Sequence, residues 1–569
     1  MIRREMVSAW LATLALVVVL AAPAQAMPGR PRSGTPEGPS APRSAVAAKQ
    51  LTLVPLPHDG LTRALEEGDL TESQYSLERA ASLFNLTNAS ARFGHVRRVD
   101  PRLATLVLRD LVARVHELSG ESRKRALAIL ARPDDGTGDP NGDGYTAPSE
   151  TACSTHVCLH WVESSIDAPP LTDADASGFP DWVETNAGVL EEVWQTEVVD
   201  YGYRAPKSDL TSSNHGPDER IDVYLANIGD QGLFGYCTTD DPSAFNPSLT
   251  TYDVSAFCVL DNDFSASEFG PGASGLIGLE ATAPHEFFHA VQFAYDFLED
   301  LWFMESTATW IEDEVFDDVN QNRDYLGASS MRQGYVPVDD GSRNESYFYG
   351  NWIFIRFLTE YFGTQSASDP TVVRDAWEWA DGSSGGPDYY SMLALEQVAR
   401  EREWYLQWAF ADFGAANLAP RRFYEEGGAY PTPLIDRSFG LTAANDDTGW
   451  WSVRTNHLTN SYFVYAPKTG ISHTAKLALL VDATSRATMP EATAVVFMRS
   501  GATREIIIRL NARGDGSKRV PFGRGTVKKV VLVLTNASTR YSCWVNTVYS
   551  CSGRPVDDNR RYFFRAIVT

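Results

Sequence analysis

The chain has 569 residues, 49 of them Lys or Arg and 74 Asp or Glu, for a formal charge of −25 that argues against nucleic acid as a partner. With 43% hydrophobic and 22% charged residues it has the means to build large cores and does not read as disordered. The charge is uneven: residues 451–569 hold 18 basic and 6 acidic side chains, a balance of +12, which leaves −37 for the first 450 residues.

At the N-terminus, Arg3 and Arg4 precede an apolar run from Trp10 to Ala22, and Ala24-Gln25-Ala26 places small residues where a signal peptidase reads. The run is too short for a membrane anchor, so it predicts export with residues 1–26 as signal peptide and no membrane span. Residues 27–49 are rich in Pro, Ser, Gly and Ala and read as a flexible leader. Helical spacing follows as far as Pro133, clearest in Leu106, Leu108, Leu111, Val112, Val115 and Leu118. In an exported protein, segment 27–133 is a propeptide candidate; the alternative is a helical lobe of the mature chain.

Two loops then copy calcium-site spacing, with oxygen ligands at positions 1, 3 and 5, a glycine at 6, a carbonyl at 7 and an acid at 12. In the first the ligands are Asp139, Asn141, Asp143, Tyr145 and Glu150, with Pro148 arguing against a following helix. In the second they are Asp173, Asp175, Ser177, Phe179, Asp181 and Glu184, ahead of a helix-like run from Trp182 to Val199. The alternative in both cases is a solvated Asp/Gly turn. Between Glu219 and Asp263, the runs Ile221 to Leu225 and Phe257 to Leu260 predict strands.

Six cysteines in an oxidising compartment predict disulfides, and their grouping predicts sequential pairing: Cys153 with Cys158, Cys237 with Cys258, and Cys543 with Cys551. The first pair, flanked by His156 and His160, is alternatively a zinc site.

The run Glu280 to Tyr295 holds His285-Glu286-Phe-Phe-His289. With Thr282 as cap and Pro284 in the first turn, a helix would set both imidazoles on one face at i and i+4, ready for one zinc ion, with Glu286 beside it as a base for zinc-activated water. A metzincin would have its third His six residues after the second, where this chain has Tyr295. Downstream, Met304, Ala308, Ile311 and Val315 form a helical core stripe, with Glu305 and Glu312 on the adjoining face. Either acid completes a His, His, Glu set.

This stretch resembles the gluzincin metallopeptidases, whose His-Glu-x-x-His helix is followed by one bearing Trp-x-x-Glu-Gly-x-Ala. Trp302-Phe-Met-Glu305-Ser-Thr-Ala308 matches, with Ser306 for Gly. It is most similar to secreted bacterial neutral metalloproteinases of the hyicolysin type and related secreted metalloproteases. Fifteen residues separate His289 from Glu305, fewer than in the aminopeptidase branch. The resemblance implies Glu305 as third zinc ligand and Glu286 as general base. It also implies an oxyanion-supporting phenol from the Tyr-x-x-Gly element, for which Tyr347 aligns and Tyr349 is the runner-up. The implied fold is α+β: a thermolysin-like catalytic domain (134–450), a small sheet plus a helical zinc-binding core, after the helical pro-region. A basic C-terminal β-sandwich (451–569) follows, suited to contact with an acidic surface or polysaccharide. The implied activity is hydrolysis of protein or peptide substrates. The alternatives are a zinc aminopeptidase with Glu312 as anchor for the substrate N-terminus, and a non-catalytic secreted surface-binding protein.

Overall fold

The computed structural model describes residues 53–54, 56, 58–135, 144–246, 248, 250–340, 342, 346–363 and 368–569. The expected signal peptide, the expected leader to residue 49, and Asp139, Asn141 and Asp143 of the first calcium-like loop lie outside them.

Five helices come first: α1 (Gly60–Glu66), α2 (Glu72–Phe84), α3 (Leu86–Phe93), α4 (Ala104–Arg114) and α5 (Gly120–Ile129). Asp59 caps α1 through the backbone N–H groups of Leu61 and Thr62, and α2 opens with a reciprocal Thr71/Gln74 capping box. The apolar stripe of α4 is buried along its whole length, and its side chains run into the same core as the sheet and helices that follow.

A five-stranded sheet follows, built from β1 (Ser149–Cys153), β2 (Val157–Val162), β3 (Ile221–Ala226), β4 (Gly235–Thr238) and β5 (Phe257–Asp261) in the order β1-β2-β3-β5-β4. The three central strands run parallel and the two edges antiparallel. Every residue of β2, β3 and β5 is buried, as expected of strands covered on both faces. The helix α6 (Asp181–Trp194), expected after the second acidic loop, lies between β2 and β3 in sequence and packs on what becomes the central helix.

After a short α7 (Ala266–Phe269) comes that central helix, α8 (Leu276–Asp296), followed by α9 (Leu301–Val315). The helix bearing His285 and His289 is capped at Gly275, seven residues before the expected Thr282 cap, and Pro284 lies in its interior. The proline forgoes the hydrogen bond to the carbonyl of Glu280. Burial of nearly every side chain from Gly278 to Asp296 outweighs that loss. Five helices complete the body: α10 (Ser346–Gly350), α11 (Trp352–Phe362), α12 (Thr371–Trp379), α13 (Ser391–Glu401) and α14 (Leu406–Ala416).

The C-terminal region holds β6 (Arg437–Leu441), β7 (Trp451–Thr455), β8 (Thr459–Pro467), β9 (Lys476–Asp482), β10 (Pro490–Met498), β11 (Thr503–Ile507), β12 (Asp515–Pro521), β13 (Val527–Asn536), β14 (Tyr541–Ser542), β15 (Arg554–Pro555) and β16 (Arg560–Val568). One sheet has the order β11-β10-β13-β8-β6 and another β12-β9-β16-β7. Phe463, Leu479, Val496, Leu532 and Phe564, drawn from both, share one core. The strand β6 begins at Arg437, so this unit starts before the expected boundary at Trp451: the charge shift marks β7, whereas β6 joins by parallel pairing with β8.

The three disulfides pair sequentially. Cys153 and Cys158 are directly opposite on β1 and β2, and Cys237 and Cys258 on β4 and β5, each with Cα atoms 4.1 Å apart. A zinc site at Cys153 and Cys158 is therefore excluded, their sulfurs being bonded to each other.

Candidate metal centre

Helices α8 and α9 face each other, and three side chains meet between them: His285, His289 and Glu305, whose ligand atoms all lie within 4.8 Å of one another. The Nε2 of His285 is 3.3 Å from Glu305 Oε2, and the Nε2 of His289 is 3.6 Å from Glu305 Oε1. All three residues are 2% exposed or less. Both Nε2 atoms and both Glu305 oxygens are buried without a hydrogen-bond partner. Four such orphans in one place carry a large desolvation penalty unless a further group engages them.

The opposite edge of each imidazole is fixed. His285 Nδ1 donates to Glu312 Oε1 at 2.8 Å, and His289 Nδ1 to Gln292 Oε1 at 2.7 Å. The Gln292 amide faces that way because its Nε2 is spent on the Met304 carbonyl (2.9 Å) and the Thr307 hydroxyl (3.1 Å). With the proton on Nδ1, each neutral ring turns a lone pair on Nε2 toward Glu305, the arrangement of a metal-ligating histidine. Glu312, left open as a ligand by the sequence, thus holds the His285 ring in place, and Gln292 does the same for His289.

The electrostatics agree with that division. Burial favours a neutral imidazole at His285, but Glu305 and Glu312 outweigh it and push the ring up to about 10. Burial and the nearby His285 hold His289 far below the ordinary histidine range, and burial raises Glu305. The centre therefore asks for positive charge between Glu305 and the two rings. Protonation meets that demand at one atom, whereas a divalent cation engages all four, and an imidazole/carboxylate set with a fourth position open suits zinc.

Glu286 stands outside the candidate ligand group. Burial pushes its carboxyl up to about 7, while His285 and the Thr105 hydroxyl pull the other way, so it is balanced between acid and base near neutrality. Gly235 on β4 gives it room: a Cβ there would sit 2.9 Å from Glu286 Cγ.

Of the two phenols on α10, the sequence selects Tyr347, and the structure puts the other beside the centre. The Tyr347 hydroxyl is buried 3.0 Å from the Val336 carbonyl and donates to it. The Tyr349 ring lies 6.0 Å from that of His285, and its hydroxyl, without a well-formed hydrogen bond, helps to hold Glu305 down against burial. Two residues apart on a helix, the two side chains point to different sides. The sequence gives no signal for Thr105, Gln292 or Gly235 at this site.

At the second acidic loop, Asp173, Asp175 and Asp181 gather, and their carboxylates accept N–H groups of the loop itself, including Ser177 and Gly178. The hydroxyl of Ser177 turns to the Phe179 carbonyl at 3.3 Å, and Glu184, exposed in the first turn of α6, stays outside the cluster. Of the first loop, Tyr145 is buried with its hydroxyl between the carbonyls of His160 and Leu225, and Glu150 is an exposed residue of β1. Neither residue belongs to an acidic cluster among the described residues.

Neither a family profile nor a curated relative matches the chain. Among solved structures, it is similar to a family GH115 4-O-methyl-α-glucuronidase with specificity for decorated arabinogalactans, at 8% identity and a TM-score of 0.14. The match spans 65% of this chain and about half (54%) of that one, and at this level it carries no argument.

Proposed function

We propose that the protein is an exported zinc-dependent endopeptidase on a thermolysin-like plan, with His285, His289 and Glu305 as ligands and Glu286 as general acid and base. The observation that carries this reading is the convergence of two imidazole nitrogens and two carboxylate oxygens, all buried and unpartnered, beside a carboxyl balanced near neutrality. Three disulfides fit an oxidising compartment, and no helix among the described residues is long and apolar enough to cross a membrane.

Bound by these ligands, zinc would supply a Lewis acid for the scissile carbonyl and make an attacking water acidic. Glu286 takes a proton from that water and returns it to the leaving amine. Tyr349 is the phenol placed to donate to the developing oxyanion, a bond stronger in the transition state than in the ground state. Glu312 and Gln292 keep both imidazoles in the ligating tautomer throughout. The aminopeptidase alternative loses its anchor, because Glu312 is committed to His285.

The test is Glu286→Gln in zinc-loaded protein, assayed on an internally quenched, N-acetylated peptide. Zinc content should stay at one per chain while hydrolysis falls by roughly 10²-fold or more, the range for a lost general base. Full activity of this variant, or release of N-terminal residues only, would overturn the reading.

A further inference from the structure

The chemistry proposed above requires Glu286 and the neighbouring edge of the sheet to meet water and substrate, and the N-terminal helices cover both. Cys237 stands opposite Cys258 with Cα atoms 4.1 Å apart, the spacing of a non-hydrogen-bonded antiparallel pair, so its N–H points away from β5 along the free edge of β4. That N–H donates to Thr105 Oγ1 at 2.9 Å. The same hydroxyl donates to Glu286 Oε2, also at 2.9 Å. A water on the base would make the second bond, and an extended peptide paired with β4 would make the first. Thr105 makes both at once.

The surrounding contacts repeat the pattern. Just before α4, Arg102 Nη1 lies 3.5 Å from the Glu312 oxygen that receives His285 Nδ1. One turn after Thr105, Arg109 Nη1 donates to the Glu299 carbonyl (2.8 Å) and lies 3.0 Å from Met304 Sδ, next to the ligand Glu305. At the far end, Arg132 is fully buried among three acids of the catalytic body, Asp209 (2.6 Å), Asp222 (2.5 Å) and Asp240 (2.9 Å). The Gly/Asp/Pro sequence of residues 136–143 then leads to β1, so a cut there would separate the whole lobe from the body.

We propose, resting on the endopeptidase reading, that the lobe from residue 53 to Arg132 is an inhibitory plug, with the Thr105 hydroxyl standing in for both the attacking water and the substrate backbone. The competing account, in which these helices are a permanent wall of the mature enzyme, predicts that loosening them harms catalysis.

The full chain is loaded with zinc as wild type, Thr105→Val and Thr105→Glu. Two rates are measured: hydrolysis of an internally quenched peptide, and removal of zinc by an excess of a coloured chelator, which needs no turnover. Valine keeps the shape of threonine but leaves Glu286 and the Cys237 N–H unpaired only while the lobe is seated. Both rates should therefore rise about tenfold, the factor carried by ~1.4 kcal/mol of lost hydrogen bonding. Thr105→Glu sets a second carboxylate against Glu286 and should raise them further; if it fails to fold, the valine variant decides alone. Equal rates of measurable hydrolysis in wild type and Thr105→Val, or faster zinc loss with slower hydrolysis, overturn the plug and leave the endopeptidase reading standing. Faster zinc loss with no hydrolysis by any chain sustains the plug and overturns that reading.

Discussion

Gly235 offers the sharpest test of how the base is positioned. Its φ is not in the left-handed region, so alanine meets no backbone strain and acts through space alone. The added Cβ would stand 2.9 Å from Glu286 Cγ, 3.0 Å from Leu260 Cδ2 and 3.0 Å from Thr282 Cγ2. Ordinary contact begins near 3.4 Å, so each neighbour must yield by about 0.5 Å. All three neighbours are buried, and Glu286, the closest of them, is the side chain that must turn furthest to make room. Overpacking of this kind costs about 1–3 kcal/mol of stability. A displaced catalytic group loses more: a shift on the order of 1 Å costs about 10²-fold, so half that distance should lower kcat roughly tenfold. His285, His289 and Glu305 are not among the three closest neighbours of the new methyl group, so zinc stoichiometry should remain unchanged. The assay is kcat on a quenched peptide beside metal content and melting temperature. A folded Gly235→Ala chain with wild-type kcat would show that Glu286 is not the base, or that β4 does not fix it.

Glu312→Gln keeps a hydrogen-bond acceptor for His285 but removes its charge, and zinc affinity measured by competition with a chelator should drop about 10- to 100-fold. Acid should loosen the N-terminal lobe first. Burial raises Asp59, but its bidentate pairing with Arg79 outweighs that and holds the carboxyl at about 2, below its ordinary 3.8. A depressed carboxylate contributes stability that is present above pH 4 and lost as the pH falls toward 2, here about 2 kcal/mol. Hydrogen exchange of α1 and α2 should rise over that window in wild type and lack that dependence in Asp59→Asn.

What the sequence makes legible here is what depends on neighbours along the chain. The spacing of His285 and His289 defines one face of any helix that contains them, and the pairs Cys237/Cys258 and Cys153/Cys158 are near enough in sequence to belong to facing strands. Tertiary packing decides the rest. Pro284 reads as a first-turn residue, yet the helix runs through it because both of its sides are buried. Glu305 and Glu312 lie seven residues apart on one face, so either satisfies the pattern; which one reaches the imidazoles depends on where α9 crosses α8. Thr105 lies 181 residues from the base that it touches, and no local pattern links the two. Nor does composition show that Gln292, two turns from His285, turns its amide inward.

The C-terminal unit carries no side chain of the ligand group, yet it is fastened to the helix that does. Asp300 precedes α9, and its carboxylate accepts the Cys551 N–H at 2.9 Å; Trp302 Nε1 donates to Ser550 Oγ at 3.0 Å. Both partners belong to the loop closed by Cys543 and Cys551, one turn of α9 before Glu305. The same loop is held by Asp339, which accepts from the Ser550 N–H, the Tyr541 hydroxyl and His457 Nε2. Burial opposes a charge on His457, but Asp339 and Asp558 outweigh it and push the imidazole up to about 9 from its ordinary 6.5. A raised histidine contributes stability that is complete below pH 6.5 and is lost as the pH rises through 9, so about 3 kcal/mol of the docking should disappear over that span. The loss falls on the seat of α9, and with it on the reach of Glu305 toward the imidazoles. Between pH 7 and 9.5 the wild-type chain should therefore show a falling melting temperature together with faster zinc loss to a chelator. In His457→Gln, which pairs with Asp339 without a charge, the histidine contribution to both slopes should be absent. If the variant follows the wild-type pH profile in both measurements, the C-terminal unit does not brace the metal centre through His457.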